Sequence, residues 1–454
     1  MAKIDLRVRG ASIVSPEGFM EGELYVQDGK VIGLGNLDLP ASQNLDAHGL
    51  LLLPGMVDAH VHFMDPADLS REDFPSGSAA AAAAGVTTVI EHTHGSPVHN
   101  PEDLRQKADY LKNRSVVDFG LGAHFPTKNL EEMDEVFRQG AAFIKVFTCT
   151  THGIQGVPAG PLYQAMKRGG HQGPLFLVHA EDESLTETAE KELKTSGRRD
   201  GRVIPEWRNR LAEEVAASTV CQLADRSKAP VVIAHCSHAP VVDLVAEART
   251  RGARIWAEGC PQYFFLKENE IEEKMGFRKF TPPARIVSAK DQEEMWERLR
   301  DGRISYLGSD HAPATKSQKT EGSIWDVPFG LPGVDTTLPV MLDAVANGLL
   351  SYPRLVDLYA RMPARIYGFY PRKGALFPGS DGDFILVDPK IRYTVEDRNI
   401  LSKAGWTPYA GKSLQGRVVA TYLRGQKIAE AGRCLVPPGC GKFVPGKGGR
   451  KEPS

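Results

Sequence analysis

Residues 54–62, Pro54-Gly55-Met56-Val57-Asp58-Ala59-His60-Val61-His62, open as an apolar run after Pro-Gly and end in two histidines spaced by two. On a β-strand residues i and i+2 face the same side, so this run reads as a strand that presents both imidazoles together. Runs of similar texture follow, and the set covers 55–63, 87–94, 118–125, 141–148, 174–181, 230–236, 253–260 and 304–311. They are rich in Val, Ile and Phe, and several are almost continuously apolar, as strands buried on both faces are. Most gaps read as helices: the alanine run Ser78 to Ala84 ended by Gly85, Pro101 to Arg114, and the amphipathic Ser288 to Arg300 before Gly302. Eight strands alternating with helices predict an α/β chain built as a (β/α)8 TIM-like barrel over 54–373. A doubly wound parallel sheet would give the same alternation.

Outside that span the texture changes. Residues 3–53 alternate short β-like runs with turns, such as Leu24-Tyr25-Val26 before Asp28-Gly29. The same pattern returns after Gly374, in Phe384-Ile385-Leu386-Val387 and in Val418 to Leu423 before Arg424-Gly425. Residues 1–53 and 374–438 are therefore expected to form one small β-domain, a β-sandwich made from both chain ends. The Gly-, Lys- and Pro-rich stretch 439–454 reads as a disordered tail. A length of 454 residues suits one large domain plus a smaller one. A net charge of −2 gives no reason to expect nucleic acid or a membrane as partner. No signal peptide or membrane span is visible, and the six scattered cysteines read as reduced thiols of a cytoplasmic enzyme.

The polar residues inside the apolar runs fall near their C-terminal ends: His60 and His62, Lys145, His179, His235, and Asp310-His311. In a parallel barrel those ends share one mouth. Any one histidine there is most simply a hydrogen-bonded structural residue. Lys145 is different, because Ala141-Ala142-Phe143-Ile144-Lys145-Val146-Phe147 puts an amine in the core, where a free ammonium is costly to desolvate. It could snorkel outward, or as a neutral amine it could take up carbon dioxide to give a carbamate, an anion with two oxygens able to bridge two cations.

In this context the sequence resembles the cyclic amidohydrolases: hydantoinases, dihydropyrimidinases, allantoinases and dihydroorotases. The matching segments are 54–62, Phe143 to Phe147, Val178-His179-Ala180-Glu181, Ala234-His235-Cys236-Ser237, Cys260-Pro261-Gln262-Tyr263 and Gly308-Ser309-Asp310-His311-Ala312-Pro313, in the family's order. The resemblance implies hydrolysis of the amide C–N bond of a small cyclic amide, ureide or imide, in a homodimer or homotetramer. It implies two divalent metal ions, with zinc expected from the ligand types. One would be held by His60, His62, carboxylated Lys145 and Asp310, the other by Lys145, His179 and His235. Asp310 would also be the catalytic acid–base group.

Substrate contacts are expected from Met64, His94, Thr150, Thr281, Phe329 and Gly330. Dihydroorotases carry an arginine where Met64 stands and an asparagine where His94 stands, so dihydroorotate is not expected, and the expected substrate is a neutral or weakly charged five- or six-membered cyclic amide or imide. Thr150 falls where hydantoinases place an oxyanion tyrosine, and Thr281 where they use a serine. His92, His152 and His238 are further polar groups near the mouth, with structural or solvent-facing roles as the default. Alternatives are a dihydroorotase, another amide hydrolase on the same barrel such as a deacetylase or dipeptidase, and a non-catalytic scaffold relative.

Overall fold

The computed structural model describes residues 4–126 and 129–449. Each of the eight apolar runs contributes a strand. They are Met56–Val61, Val86–Glu91, Asp118–Leu121 with Ala123–His124, Ile144–Phe147, Phe176–His179, Val231–Ile233, Ile255–Gly259 and Tyr306–Leu307. Neighbours in sequence pair in parallel, in a three-stranded and a six-stranded sheet. The two sheets meet at Gly122, whose N–H donates to the Glu91 carbonyl (2.9 Å) beside Ala123 N–H on the Phe143 carbonyl (2.9 Å). At the other end His62 N–H donates to the His311 carbonyl (2.8 Å), and buried Asp58 accepts from Ser309 N–H (3.0 Å) and the Tyr359 hydroxyl (2.8 Å). These bonds tie the chain just beyond Tyr306–Leu307 to the first strand, Met56–Val61, and its continuation at His62.

Alternate residues pack in two directions. Val57, Ala59, Ile90, Phe143, Leu177, Val232, Ala234 and Tyr306 form an inner cluster, while Val61, Val89, Val146, Val178 and Ile233 pack outward with helix residues. Each such aliphatic or aromatic side chain contributes about 1.5–3 kcal/mol by leaving water. The helices begin where their caps dictate. Asn100 accepts from Asp103 N–H at the start of Pro101–Leu111, and Ser288 forms a capping box with Asp291 at the start of Ala289–Arg300. The alanine run forms Phe74–Ala83, capped by Asp73.

The chain ends share one sheet. Its order is Arg433–Cys434, Gln426–Glu430, Ser413–Leu423, Phe384–Thr394, Leu51–Pro54, Ser12–Ser15 and Gly18–Met20, with Phe384–Thr394 antiparallel to Leu51–Pro54. A second sheet of four strands comes from the N-terminal residues alone. Leu6, Val8, Leu24 and Val26 form a common core with Leu52, Phe384, Leu386 and Tyr422. A buried ionic knot ties the returning chain to the parallel strands. Lys373 pairs with Asp383 (2.7 Å), Asp381 (2.8 Å) and Asp118, and Arg424 also pairs with Asp118.

The segment after 438 departs from the expectation of disorder. Residues 439–449 pack against the parallel strands: Phe119 N–H donates to the Lys442 carbonyl (3.0 Å), Val444 N–H to the Phe119 carbonyl (2.8 Å), and Val444 is buried. Its glycines fit close backbone approaches, where a side chain at Gly441 would meet the Val117 carbonyl at 1.9 Å. Composition alone suggested a free tail; residues 450–454 lie outside the described residues. Among the described residues no helix is long and apolar enough to cross a membrane.

Candidate active site

His60, His62, Lys145, His179, His235 and Asp310 converge on one cavity of about 430 Å3 at the C-terminal ends of the parallel strands. They fall into two groups. His60 Nε2 and His62 Nε2 both face Asp310 Oδ1, at 3.3 and 3.5 Å. Across from them His179 Nδ1 and His235 Nε2 face each other at 3.0 Å, with the His60 and His235 rings 5.6 Å apart. Two of these residues hold left-handed backbone, His235 at φ 38° and Asp310 at φ 49°. Such conformations cost about 1–3 kcal/mol for a non-glycine residue and persist where the surroundings over-determine them, often at functional sites.

Lys145 is 2 % exposed and makes no ion pair among the described residues, its amine lying 5.1 Å from the Phe147 ring centroid. Burial lowers its pKa, against the pull of Asp310 and Glu258. Burial likewise holds His60 and His235 far below the usual histidine range, as neutral rings with lone pairs to offer. Burial would raise Asp310, yet the facing His60 and His62 hold its carboxylate below the ordinary value.

The donors fit metal ions. His179 Nε2 is engaged by the Glu181 carboxylate at 2.6 Å, which leaves Nδ1 as a lone pair aimed at a second imidazole. His235 Nδ1 is buried without a hydrogen-bond partner. Neutral imidazoles and a carboxylate, crowded together in low dielectric, are the ligand set that zinc and similar cations take. His92 extends this cluster. It is 1 % exposed, its ring centroid is 4.7 Å from that of His60 and 4.3 Å from that of His62, and neither of its nitrogens has a hydrogen-bond partner among the described residues.

Two carboxylates missed by sequence reading orient the imidazoles. Glu258, ending Ile255–Gly259, accepts from His60 Nδ1 (2.8 Å) and His235 N–H (2.9 Å) on one oxygen and from the Tyr306 hydroxyl (3.0 Å) on the other. Gly308 makes room for it, since a Cβ there would lie 2.5 Å from Glu258 Oε1. Glu181 holds His179, accepts from the Thr281 hydroxyl (2.8 Å) and pairs with Arg208 (3.4 Å). Burial opposes its charge, but Arg208, His179 and Thr281 outweigh that and bring it down to about 2. A glutamate near the C-terminal end of a buried strand, next to last for Glu258 and two residues beyond for Glu181, was the signal available.

Of the expected substrate contacts, Met64, His94, Thr281, Phe329 and Gly330 line the cavity. Thr150 does not join them. It is exposed, and its hydroxyl accepts from Gly156 N–H (3.2 Å), because the chain after Phe147 turns away from the opening. His152 lines the cavity instead, stacked on His94 at 4.9 Å. His238 serves structure, bonded to Glu214 (2.9 Å) at the start of a helix.

Imidazoles, a buried lysine and an aspartate gathered at the C-terminal ends of parallel strands define a metal-type hydrolytic centre. The model of the amidohydrolase family matches residues 51–428, and the chain belongs to that family. It is 32% identical over 450 residues to an L-hydantoinase of Paenarthrobacter aurescens, covering 97% of this chain and 98% of that one. It is 33% identical over 442 residues to an allantoinase of Deinococcus radiodurans, covering 96% and 97%. Among solved structures, L-hydantoinase (dihydropyrimidinase) from Arthrobacter aurescens superposes with a TM-score of 0.93 at 31% identity, covering 97% of this chain and all of that one.

Proposed function

We propose that this protein hydrolyses the amide C–N bond of a small cyclic amide, ureide or imide, as its hydantoinase and allantoinase relatives are named for doing. The observation that carries the reading is the convergence of six ligand-type residues from five strand ends on one cavity. The parallel strands are read as a closed (β/α)8 barrel and the sheets of the chain ends as a β-sandwich beside it. Zinc is the favoured metal. His60, His62 and Asp310 would hold one ion, His179 and His235 the other, with Lys145 between them. The chemistry such ions supply when bound is Lewis acidity, which brings the pKa of water toward neutrality and polarises a carbonyl.

Lys145 serves this centre as a carbamate. Its neutral amine nitrogen attacks the carbon of carbon dioxide; the N–C bond forms as one C=O π bond opens onto oxygen, the nitrogen's proton passes to solvent, and an uncharged side chain becomes an anion. Burial supports the step by favouring the neutral amine. Asp310, held ionised by two histidines, takes the proton of the attacking water and delivers it to the leaving nitrogen as the C–N bond breaks. Thr281 and His94 orient the ring, and a homo-oligomer is the expected assembly.

A hydrolysis panel of hydantoin, dihydrouracil, allantoin, dihydroorotate and a cyclic imide tests the reading. Opening of at least one ring, lost on chelation and regained with zinc, is expected; inertness toward every ring would end it. Lys145→Ala should lose metal and turnover together. Retention of about two metals per chain with turnover near the parent level would remove the bridging role.

A further inference from the structure

The outer wall of the cavity carries cations that the hydrolytic reading does not use. Arg71, between Met56–Val61 and Phe74–Ala83, and Lys279, two residues before Thr281, both line the cavity. Lys279 is buried; its ammonium donates to the Trp325 carbonyl (3.0 Å) and lies 4.5 Å from the Phe329 ring centroid. Arg71 donates to the Pro313 and Phe329 carbonyls (2.9 and 3.4 Å). Behind them Lys319 is buried among the carbonyls of Lys279, Pro328 and Gly330 (3.1, 2.8 and 2.9 Å).

None of the three forms an ion pair among the described residues. The acidic groups of the same wall stand beyond ion-pair distance: Asp68 accepts from Ser70 and acts on Arg71 only through space, and Asp326 accepts from Ser323 and acts on Lys279 in the same way. Elsewhere the chain pairs its buried cations, Arg208 with Glu181 and Lys373 with three aspartates. Burial takes Lys319 well below the usual lysine range, which leaves Arg71 and Lys279 as the cations of this wall; with carbonyls at hydrogen-bond distance and carboxylates only farther off, their charge is costly to bury, and an arriving anion relieves that cost.

Distance from the centre sets where the anion belongs on the ligand. From His62 the wall runs through His94 (4.5 Å between rings), the stacked His152 (4.9 Å) and the edge of Phe329 (6.0 Å) to Lys279. The contact path from His62 to Lys279 thus passes three rings, and Met64 adds an apolar side chain to the cavity lining. We propose that the cyclic substrate carries a carboxylate on a side arm, received by Arg71 and Lys279, while its ring amide lies at the histidine cluster. This rests on the ring-opening function above and names its substrate class.

The test compares a hydantoin bearing a carboxyethyl arm with its neutral carbamoylethyl isostere, by kcat/KM and by calorimetric binding to the intact enzyme. The acid should be favoured about tenfold or more, the scale of a charged hydrogen bond. The preference should shrink with added salt and in both Lys279→Met and Arg71→Met. The wild-type ratio and its salt dependence need no variant, so poor folding of either leaves the test intact. Opening of both rings without preference for the acid overturns this proposal and spares the ring-opening function. Salt-sensitive preferential binding of the acid without opening of any ring does the reverse, and equal binding of acid and amide without opening overturns both.

Discussion

Replacing Glu258 with glutamine isolates the charge behind the histidines proposed to hold metal. Oε2 of Glu258 accepts from His60 Nδ1 (2.8 Å) and His235 N–H (2.9 Å), and Oε1 accepts from the Tyr306 hydroxyl (3.0 Å). A glutamine oxygen can take over the first two bonds. Its NH2 then faces the Tyr306 oxygen, which stays bonded by turning its hydrogen toward Tyr367 (2.5 Å). Volume and hydrogen-bond count are kept, and the negative charge that makes His60 a better metal ligand is lost; burial raises this carboxyl to about 7, so the comparison is made at pH 8 or above, where the parent is ionised. Outer-shell partners of this kind are worth about 10–100-fold in metal affinity, roughly 1.4–2.7 kcal/mol. The assay is chelator competition on purified Glu258→Gln beside the parent, with metal counted by emission spectroscopy and urea unfolding of both to check the fold. Zinc affinity within twofold of the parent, in a folded variant, would refute the reasoning.

Three further outcomes are expected. Glu181 is held down to about 2 from an ordinary 4.5, so its stabilisation is whole above about pH 4.5 and is lost as pH falls toward 2; Glu181→Gln should flatten the urea stability profile across that window, and an unchanged slope would contradict the assignment. Lys373→Met leaves Asp118, Asp381 and Asp383 crowded without their shared cation and should cost about 3–5 kcal/mol in denaturant unfolding; a loss below 1 kcal/mol would show that the knot contributes little. Removing residues 440–454 strips Val444 from the core together with its bonds to Phe119, so thermal unfolding should shift down by several degrees; an unchanged midpoint would return that segment to the status of a free tail.

The parallel strands were legible because burial on both faces leaves a mark in local sequence. All eight observed strands lie within or at the edge of the apolar runs, and Asp73, Asn100 and Ser288 cap helices near where the pattern put them. The shared sheet of the chain ends was legible as texture, though its register was not. Nothing local says that Phe384 meets Pro54, a pairing set by contacts more than 300 residues apart. The segment after 438 misled for the same reason: glycine and proline read as disorder until a surface exists for Gly441 and Val444 to approach.

The site divides along the same line. His60, His62, Lys145, His179, His235 and Asp310 lie on or just beyond strands, so the β period and the shared C-terminal end of parallel strands together bring them to one place before any contact is known. Glu258 and Glu181 obey that geometry too, but a lone glutamate carries no spacing signature, and their partners lie on other strands or loops, apart from His179 two residues before Glu181. Arg71, Lys279 and Phe329 come from three separate loops, and Thr150, expected in the cavity, is turned out of it by the loop after Phe147. Loops answer to neighbours that sequence does not name, while strands answer to the core. The reaction chemistry, carried by strand ends, could therefore be read in advance. The cations proposed to select a substrate became visible only once Lys279, Arg71 and Phe329 stood around one cavity.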